Sequence, residues 1–435
     1  MRRVLVVALA AVFTVALLPA AGGAADPSVS GFSSPNVTHV GTLPLDSPGV
    51  GARVVKLGKQ TRLYVTGVKG LTIYDVSAPA TPRIMGTLPL PHWENEDVSV
   101  SDDGATVLIS VESSRTALFI IDASNPALPR VASVLESGSH TATCVDGGCD
   151  WVYTSSGFTY DLRDKTDPHK LAQGWQDRAK AQGVTFRQNA HDLNVDDAGL
   201  VVSDTVPRVM LDPRQDPRNP TVLTTGSPGS AELAYQHNNL RPDATRWSPR
   251  SDSQTGDALR PGELLLSNGE TNATVNCDGS TNGPFATWSL RDFDKGRPME
   301  VLDVYRPVSG DYADGNPAVN TLGCSGHWFT ERDGLVAAGW YEHGTRFLKV
   351  DQQTGEIREV GFFQPVVGSA SAAHWVSRDY VYVIDYERGI DILHFDRTPE
   401  KRPTRRQMDE SWLAKAGVVS AVAEQERLFC TLAQQ

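Results

Sequence analysis

The sequence repeats itself every 44 to 51 residues, and this spacing limits the folds that the chain can adopt. The first repeated signature is an alternating apolar strand that ends in Asp and is followed by Ser and Pro residues. Its clearest copies are Leu71–Asp75 and Leu118–Asp122. Such an Asp can accept hydrogen bonds from the amides of the turn that follows. Weaker copies are Phe158–Asp161, Val209–Asp212, Phe347–Asp351 and Ile392–Asp396.

A second signature precedes these strands by 20 to 30 residues. It is a short strand that begins with His or Glu, and in its clearest copy, His191–Gly199, it runs into an Asp/Gly turn. Its copies begin at Glu96, His140, His191, His237, His327 and His374. Successive starts lie 44, 51, 46, 90 and 47 residues apart. The long interval contains one unit enlarged by two polar insertions, around residues 243–260 and 269–283.

A unit of 40 to 50 residues with four short strands is typical of one blade of a β-propeller. Counting from about Gly51 gives seven units, and the last ends after three strands at Asp396. Val37–Leu45 nearly duplicates Arg83–Leu90, the expected outer strand of the first blade. We therefore predict an all-β, seven-bladed propeller over residues 36–396. Its N-terminal strand completes the last blade and removes open sheet edges.

The strands that define the first signature also carry a family resemblance. Leu71–Asp75 and Leu118–Asp122 read Leu-Thr-Ile-Tyr-Asp and Leu-Phe-Ile-Ile-Asp, and they resemble the LVIVD repeat of bacterial and archaeal exported or surface-associated β-propellers. The resemblance extends from Val37 to Asp396 and is degenerate in the fifth unit, where Thr287–Asp292 takes the place of the motif. It implies a propeller at or outside the cell envelope. No single activity is established for the family, so the resemblance implies no reaction.

Residues 1–25 have the pattern of a secretory signal peptide. Arg2 and Arg3 precede an apolar run, Val4–Leu18, and small residues then lead to a cleavage site before Asp26. The run is shorter than the roughly 20 residues that a membrane span needs, and no later segment is apolar enough. We therefore expect a monomer that is secreted, extracellular or associated with the cell surface, without a transmembrane segment in the mature chain. The net charge of −12 argues against nucleic acid as a partner.

Residues 397–435 follow the last repeat and differ from it in composition. Lys401–Arg406 is a basic linker, and Asp409–Leu432 places its apolar residues on one stripe of a helix. We expect this C-terminal helix to pack on the side or base of the propeller. Binding to a membrane surface is the alternative.

An exported chain can form disulfides. Cys144 and Cys149 enclose the turn-rich sequence Val-Asp-Gly-Gly, and we expect them to pair. Cys277 and Cys324 are the expected second pair, which leaves Cys430 odd. Free buried thiols are the alternative. A zinc site at Cys144 and Cys149 is disfavoured, because no second Cys or His pair follows at zinc-finger spacing.

Histidine occupies the same position in five of the seven units, although the chain has only 10 histidines. The first strands of all blades line the central channel of a propeller, so equivalent residues should converge at one mouth. Imidazole binds copper, iron and zinc, and we therefore predict a site for one of these metals or another polar ligand. Its predicted ligands are His140, His191, His237, His327, His374 and Glu96, with His92 as a further candidate.

Two interpretations of these histidines remain open. In the first, they hold a metal or an organic acid; if the protein is then an enzyme, a metal-dependent oxidoreductase is the leading hypothesis. In the second, each histidine bonds a neighbouring blade, and the protein is a non-catalytic extracellular binding or interaction scaffold. Trp328 and Trp375, which follow two of the histidines, are expected either to line the channel mouth or to pack between blades. No catalytic residue is identified.

Overall fold

The computed structural model describes residues 31–43, 45, 49–90, 98–111, 117–136, 139–227, 236–251, 256–270, 283–307, 324–365 and 367–398. These residues form seven small antiparallel sheets, each of which is one blade of a propeller. The predicted all-β, seven-bladed architecture is therefore confirmed. Two strands at the start of the described chain, β1 (Gly31–Ser33) and β2 (Val37–Leu43), belong to the last two blades.

The remaining strands follow the blades in chain order. Blade one contains β3 (Gly49–Leu57), β4 (Gln60–Gly67), β5 (Gly70–Asp75) and β6 (Arg83–Pro89). Blade two contains β7 (Val98–Val100), β8 (Thr106–Val111), β9 (Ala117–Asp122) and β10 (Arg130–Leu135). Blade three contains β11 (Ala142–Cys144), β12 (Trp151–Thr154), β13 (Thr159–Asp161) and β14 (His169–Lys170). Blade four contains β15 (Leu193–Val195), β16 (Val201–Ser203), β17 (Val209–Asp212) and β18 (Thr221–Thr225).

The last three blades complete the circle. Blade five contains β19 (Gln236–Leu240), β20 (Leu264–Gly269), β21 (Phe285–Ser289) and β22 (Glu300–Tyr305). Blade six contains β23 (Phe329–Arg332), β24 (Leu335–Gly339), β25 (Thr345–Val350) and β26 (Ile357–Pro365), with β1 as a fifth strand. Blade seven contains β27 (Ala370–Trp375), β28 (Tyr380–Asp385) and β29 (Gly389–Phe395), with β2 as its fourth strand. The first strands contact one another in sequence from β3 to β27, and β27 contacts β3, so they surround the centre of the ring.

The ring closes through the N-terminal strand, as the sequence duplication predicts. β2 pairs antiparallel with β29, from Val37 opposite Phe395 to Leu43 opposite Ile390. The buried carboxylate of Asp391 reinforces this seam, because it lies 2.9 Å from Nε2 of His39 and accepts a hydrogen bond from the Thr42 hydroxyl. The pairing of β1 with β26 was not predicted, and it adds a second N-terminal strand to blade six.

The hydrophobic core consists of side chains packed between the faces of neighbouring blades. Between blades six and seven, Phe347 lies with its ring centroid 5.8 Å from that of Trp375 and 4.7 Å from that of Phe395. Between blades one and two, Ile73 and Ile109 belong to one buried cluster. Sheets with two apolar faces must be covered on both sides, and the circular arrangement gives every blade two neighbours.

The turns between strands form as the repeated Asp residues predict. Asp75 and Asp122 each accept a hydrogen bond of 3.0 Å from the backbone amide two residues later. At the Asp/Gly turn before β16, the Asp196 side chain accepts hydrogen bonds from the backbone amides of Ala198 and Leu200. Gly199 in the same turn adopts a φ of 80°. Glycine adopts a left-handed backbone conformation at little energetic cost, which explains why it occupies this position. These turns are hairpin connections.

The predicted Cys144–Cys149 disulfide is present and clips the hairpin between β11 and β12. Cys324 is also disulfide-bonded, but its predicted partner Cys277 lies outside the described residues, as does Cys430. The α-helix α1 (Trp175–Ala181) follows blade three. The predicted C-terminal helix, the basic linker and the signal peptide also fall outside the described ranges. Within those ranges, no helix has the length and apolar character required to cross a membrane.

Candidate functional site

Four of the predicted histidines meet near the starts of the first strands of blades three to six. We call them the histidine arc: His140, His191, His237 and His327. Successive ring centroids along the arc lie 4.3, 4.1 and 4.3 Å apart. The repeat explains the arc, because equivalent positions of neighbouring first strands are brought side by side around the centre of the ring. His191, His237 and His327 are buried, and His140 is partly buried.

A carboxylate completes the site, and sequence reasoning did not identify it. Glu270 follows β20, the second strand of blade five, and is 2% exposed. Its Oε2 lies 3.7 Å from Nε2 of His191 and 3.9 Å from Nε2 of His237. The donor atoms of these three residues all lie within 4.8 Å of one another. We call His191, His237 and Glu270 the axial site.

His327 flanks the axial site in a defined tautomer. Its Nδ1 lies 2.7 Å from the carbonyl oxygen of Ser371 in blade seven. A carbonyl oxygen can only accept a hydrogen bond, so Nδ1 carries a proton, and in the neutral ring Nε2 carries the lone pair. That Nε2 lies 4.0 Å from Oε1 of Glu270. His327 is therefore oriented as a metal ligand would be.

The other predicted site residues have different positions. An isolated parallel β-bridge pairs Trp328 with Ala372. His374 therefore lies two residues beyond the position that is opposite Trp328. The structure does not bring His374 into the histidine arc. Burial, with the charge of Arg53 adding to it, lowers the pKa of His374 to about 3, and its ring is neutral. Glu96 and His92 lie outside the described residues.

The two predicted channel-mouth tryptophans, Trp328 and Trp375, also occupy different environments. The ring centroid of Trp328 lies 5.2 Å from that of His237 in an edge-on contact, so it borders the arc. Trp375 is 6% exposed, packs against Phe347 and donates its indole N–H to the carbonyl of Leu335. Trp375 thus belongs to the core between blades six and seven and does not line the site.

The axial site has the donor set of a metal centre. Two imidazoles and one carboxylate are a known ligand set for zinc and for iron(II). Metal–donor bonds of roughly 2.1 Å at tetrahedral angles would place the donor atoms about 3.4 Å apart. The observed separations of 3.7 and 3.9 Å exceed this by a few tenths of an ångström. All three donor atoms lie within 4.8 Å of one another, so the side chains would have to move closer together to bind an ion.

Comparison with known proteins identifies one repeat. A model of the LVIVD repeat matches residues 63–88, which extend from β4 into β6. This stretch of blade one is an LVIVD repeat. Its Leu71 and Ile73 are buried in the core between blades one and two, and its Asp75 forms the turn described above. The matched residues therefore form part of the sheet of blade one and of its packing against blade two. The axial site comes from blades four and five, outside the match.

The chain is similar to two solved structures at low sequence identity. The chain is similar to the β-propeller domain of Cps50 (Swd1) from Myceliophteria thermophila, with a TM-score of 0.52 and 12% identity over 82% of this chain and 99% of that one. BamB from Moraxella catarrhalis gives a TM-score of 0.46 and 14% identity over 84% and 99% of the two chains. None of the curated proteins matches the sequence. The LVIVD repeat and the Cps50 (Swd1) likeness concern the fold alone.

Proposed function

We propose that this propeller binds one copper, iron or zinc ion near its axis through His191, His237 and Glu270. The observation that supports this most directly is the position of Glu270 Oε2, within 4 Å of two imidazole nitrogens in a buried site. A cation bound between this carboxylate and the imidazoles would compensate its buried negative charge. His327 is the fourth ligand in this proposal, because its Nε2 lies 4.0 Å from Oε1 of Glu270.

The alternative is a scaffold in which the histidines are structural. The bond from His327 to Ser371 and the bond from the Thr141 hydroxyl to the carbonyl of His191 favour it, because each links neighbouring blades. These bonds use Nδ1 of His327 and a backbone oxygen of His191. Neither bond involves Nε2 of His191 or His327, so a structural role does not exclude metal binding, and metal content tests whether the site binds an ion.

Purified untagged protein is expected to contain about one equivalent of metal. Each of the variants Glu270→Gln and His237→Gln is expected to have a metal affinity at least roughly 10–100-fold lower than that of the wild type. Metal is measured by plasma mass spectrometry after isolation and again after incubation with zinc, copper(II) or iron(II). His169→Gln is the matched control, because His169 is an exposed histidine of β14. A wild-type protein that stays metal-free after all three incubations would exclude the site.

We also propose that the protein acts outside the cytoplasm. The Cys144–Cys149 disulfide and the disulfide-bonded Cys324 support this, because disulfides persist mainly in oxidising compartments. Expressed in a bacterial host with its own N-terminus, the protein is expected in the exported fraction with Asp26 as its first residue. Intact-mass measurement tests this. Recovery only from the cytoplasm, with Arg2 and Arg3 retained, would contradict it.

A further inference from the structure

Tyr341 contacts the axial site through Oε1 of Glu270. It lies in the loop between β24 and β25, is 2% exposed, and its hydroxyl donates a hydrogen bond to Oε1 of Glu270. The two oxygens of Glu270 thus have different environments. Oε1 accepts the hydrogen bond from the tyrosine and lies 4.0 Å from Nε2 of His327, whereas Oε2 faces His191 and His237.

The backbone of Tyr341 is held firmly in place. It forms a bridge to Ala370 of blade seven, with hydrogen bonds of 3.1 and 2.9 Å in the two directions. Its φ of 40° is an uncommon conformation for a residue with a side chain. The neighbouring Gly344 also donates its amide to the carbonyl of Tyr341. A side chain supported in this way can hold a partner in one orientation.

We propose that Tyr341 is a positioning residue that orients Glu270 for metal binding and sets the metal affinity of the axial site. This inference rests on the proposed function. The phenol O–H stabilises the ionised carboxylate, which is the form that binds metal, and restricts rotation of the Glu270 carboxyl group. Oε2 then remains directed towards His191 and His237. Partners of this kind contribute 10–100-fold to metal affinity in other proteins.

Tyr341→Phe in the full-length protein removes one oxygen atom and keeps the aromatic ring. We expect zinc affinity, measured by competition with a chromogenic chelator, to fall by roughly 10–100-fold. The visible absorption spectrum of the cobalt(II) form should also change.

The matched control is Tyr382→Phe, which removes another hydroxyl that donates a hydrogen bond, in this case to the carbonyl of Pro79. Its zinc affinity and cobalt spectrum should equal those of the wild type, even if its thermal stability falls. If Tyr341→Phe lowers only the thermal stability of the metal-free protein, Tyr341 is structural and the positioning role is wrong. If the wild type itself binds no zinc or cobalt, both this role and the metal site are wrong.

Discussion

Asp391→Ala is expected to lower the free energy of unfolding by about 3–5 kcal/mol, because it leaves the partly buried side chains of His39 and Arg388 without their counter-charge. The Asp391 side chain is 1% exposed and receives two hydrogen bonds from the guanidinium of Arg388, of 2.9 and 3.0 Å. Burial alone would raise the pKa of Asp391, but bonds from His39 and Arg388 outweigh it and hold the pKa below its usual value. The variant would therefore weaken the seam between β2 and β29.

An exposed pair of the same chemistry provides the control. Asp122 and Arg130 form a bond of 2.9 Å, with side chains 29% and 79% exposed. Exposed pairs contribute at most about 1 kcal/mol, so Asp122→Ala should cost far less than Asp391→Ala. Urea unfolding of both variants measures the difference. Equal losses at the two positions would show that the closing seam is not held by Asp391.

The second large effect concerns pH and the neighbouring carboxyl of Asp385. This group is fully buried, and one of its oxygens accepts the amides of Glu387 and Arg388. Burial, with the charge of Asp391 adding to it, raises the pKa of Asp385 from 3.8 to about 7. Between these values the folded protein holds a proton that the unfolded chain releases. Stability should therefore fall as the pH rises from 4 to 7, by up to about 4 kcal/mol from this group.

Asp385→Asn should remove this contribution, because asparagine keeps the shape of the neutral acid and does not ionise. Relative to the wild type, the variant should gain stability steadily between pH 4 and pH 7, as measured by urea unfolding at each pH. Asp122→Asn is the control, since hydrogen bonds from Ser124 lower the pKa of that exposed carboxyl. Parallel curves for the wild type and Asp385→Asn would contradict the raised pKa.

The fold could be predicted in detail because its determinants are local and repeated. Each blade carries its own alternating strands and an Asp turn, as in Leu71–Asp75. The duplication of the outer strand in Val37–Leu45 was enough to predict how the ring closes. The short strand β1 could not be predicted in this way, since Gly31–Ser33 copies no other unit and pairs outside the four-strand pattern.

The site was predicted less completely, for a physical reason. Repeats mark positions on the first strands, and this is how His191 and His237 were found. Glu270 and Tyr341 follow the second strands, where the residue types vary between blades and no histidine-like repeat marks a ligand. His374 shares a His-Trp pair with His327, but the register between blades determines which side chains face the axis. A His-Trp dipeptide alone does not determine that register.

The pairing of β2 with β29 also determines the order in which the chain can fold. His39 and Asp391, which meet at this seam, are 352 residues apart in the sequence. Their contact therefore closes a loop that contains most of the chain. Contacts of such long range slow folding. A ribosome or an export channel delivers β2 first and β29 near the end, so the last blade cannot be completed until the strands of the other blades have been delivered. The exposed strand edges must stay unpaired during that interval, when aggregation competes most strongly with folding.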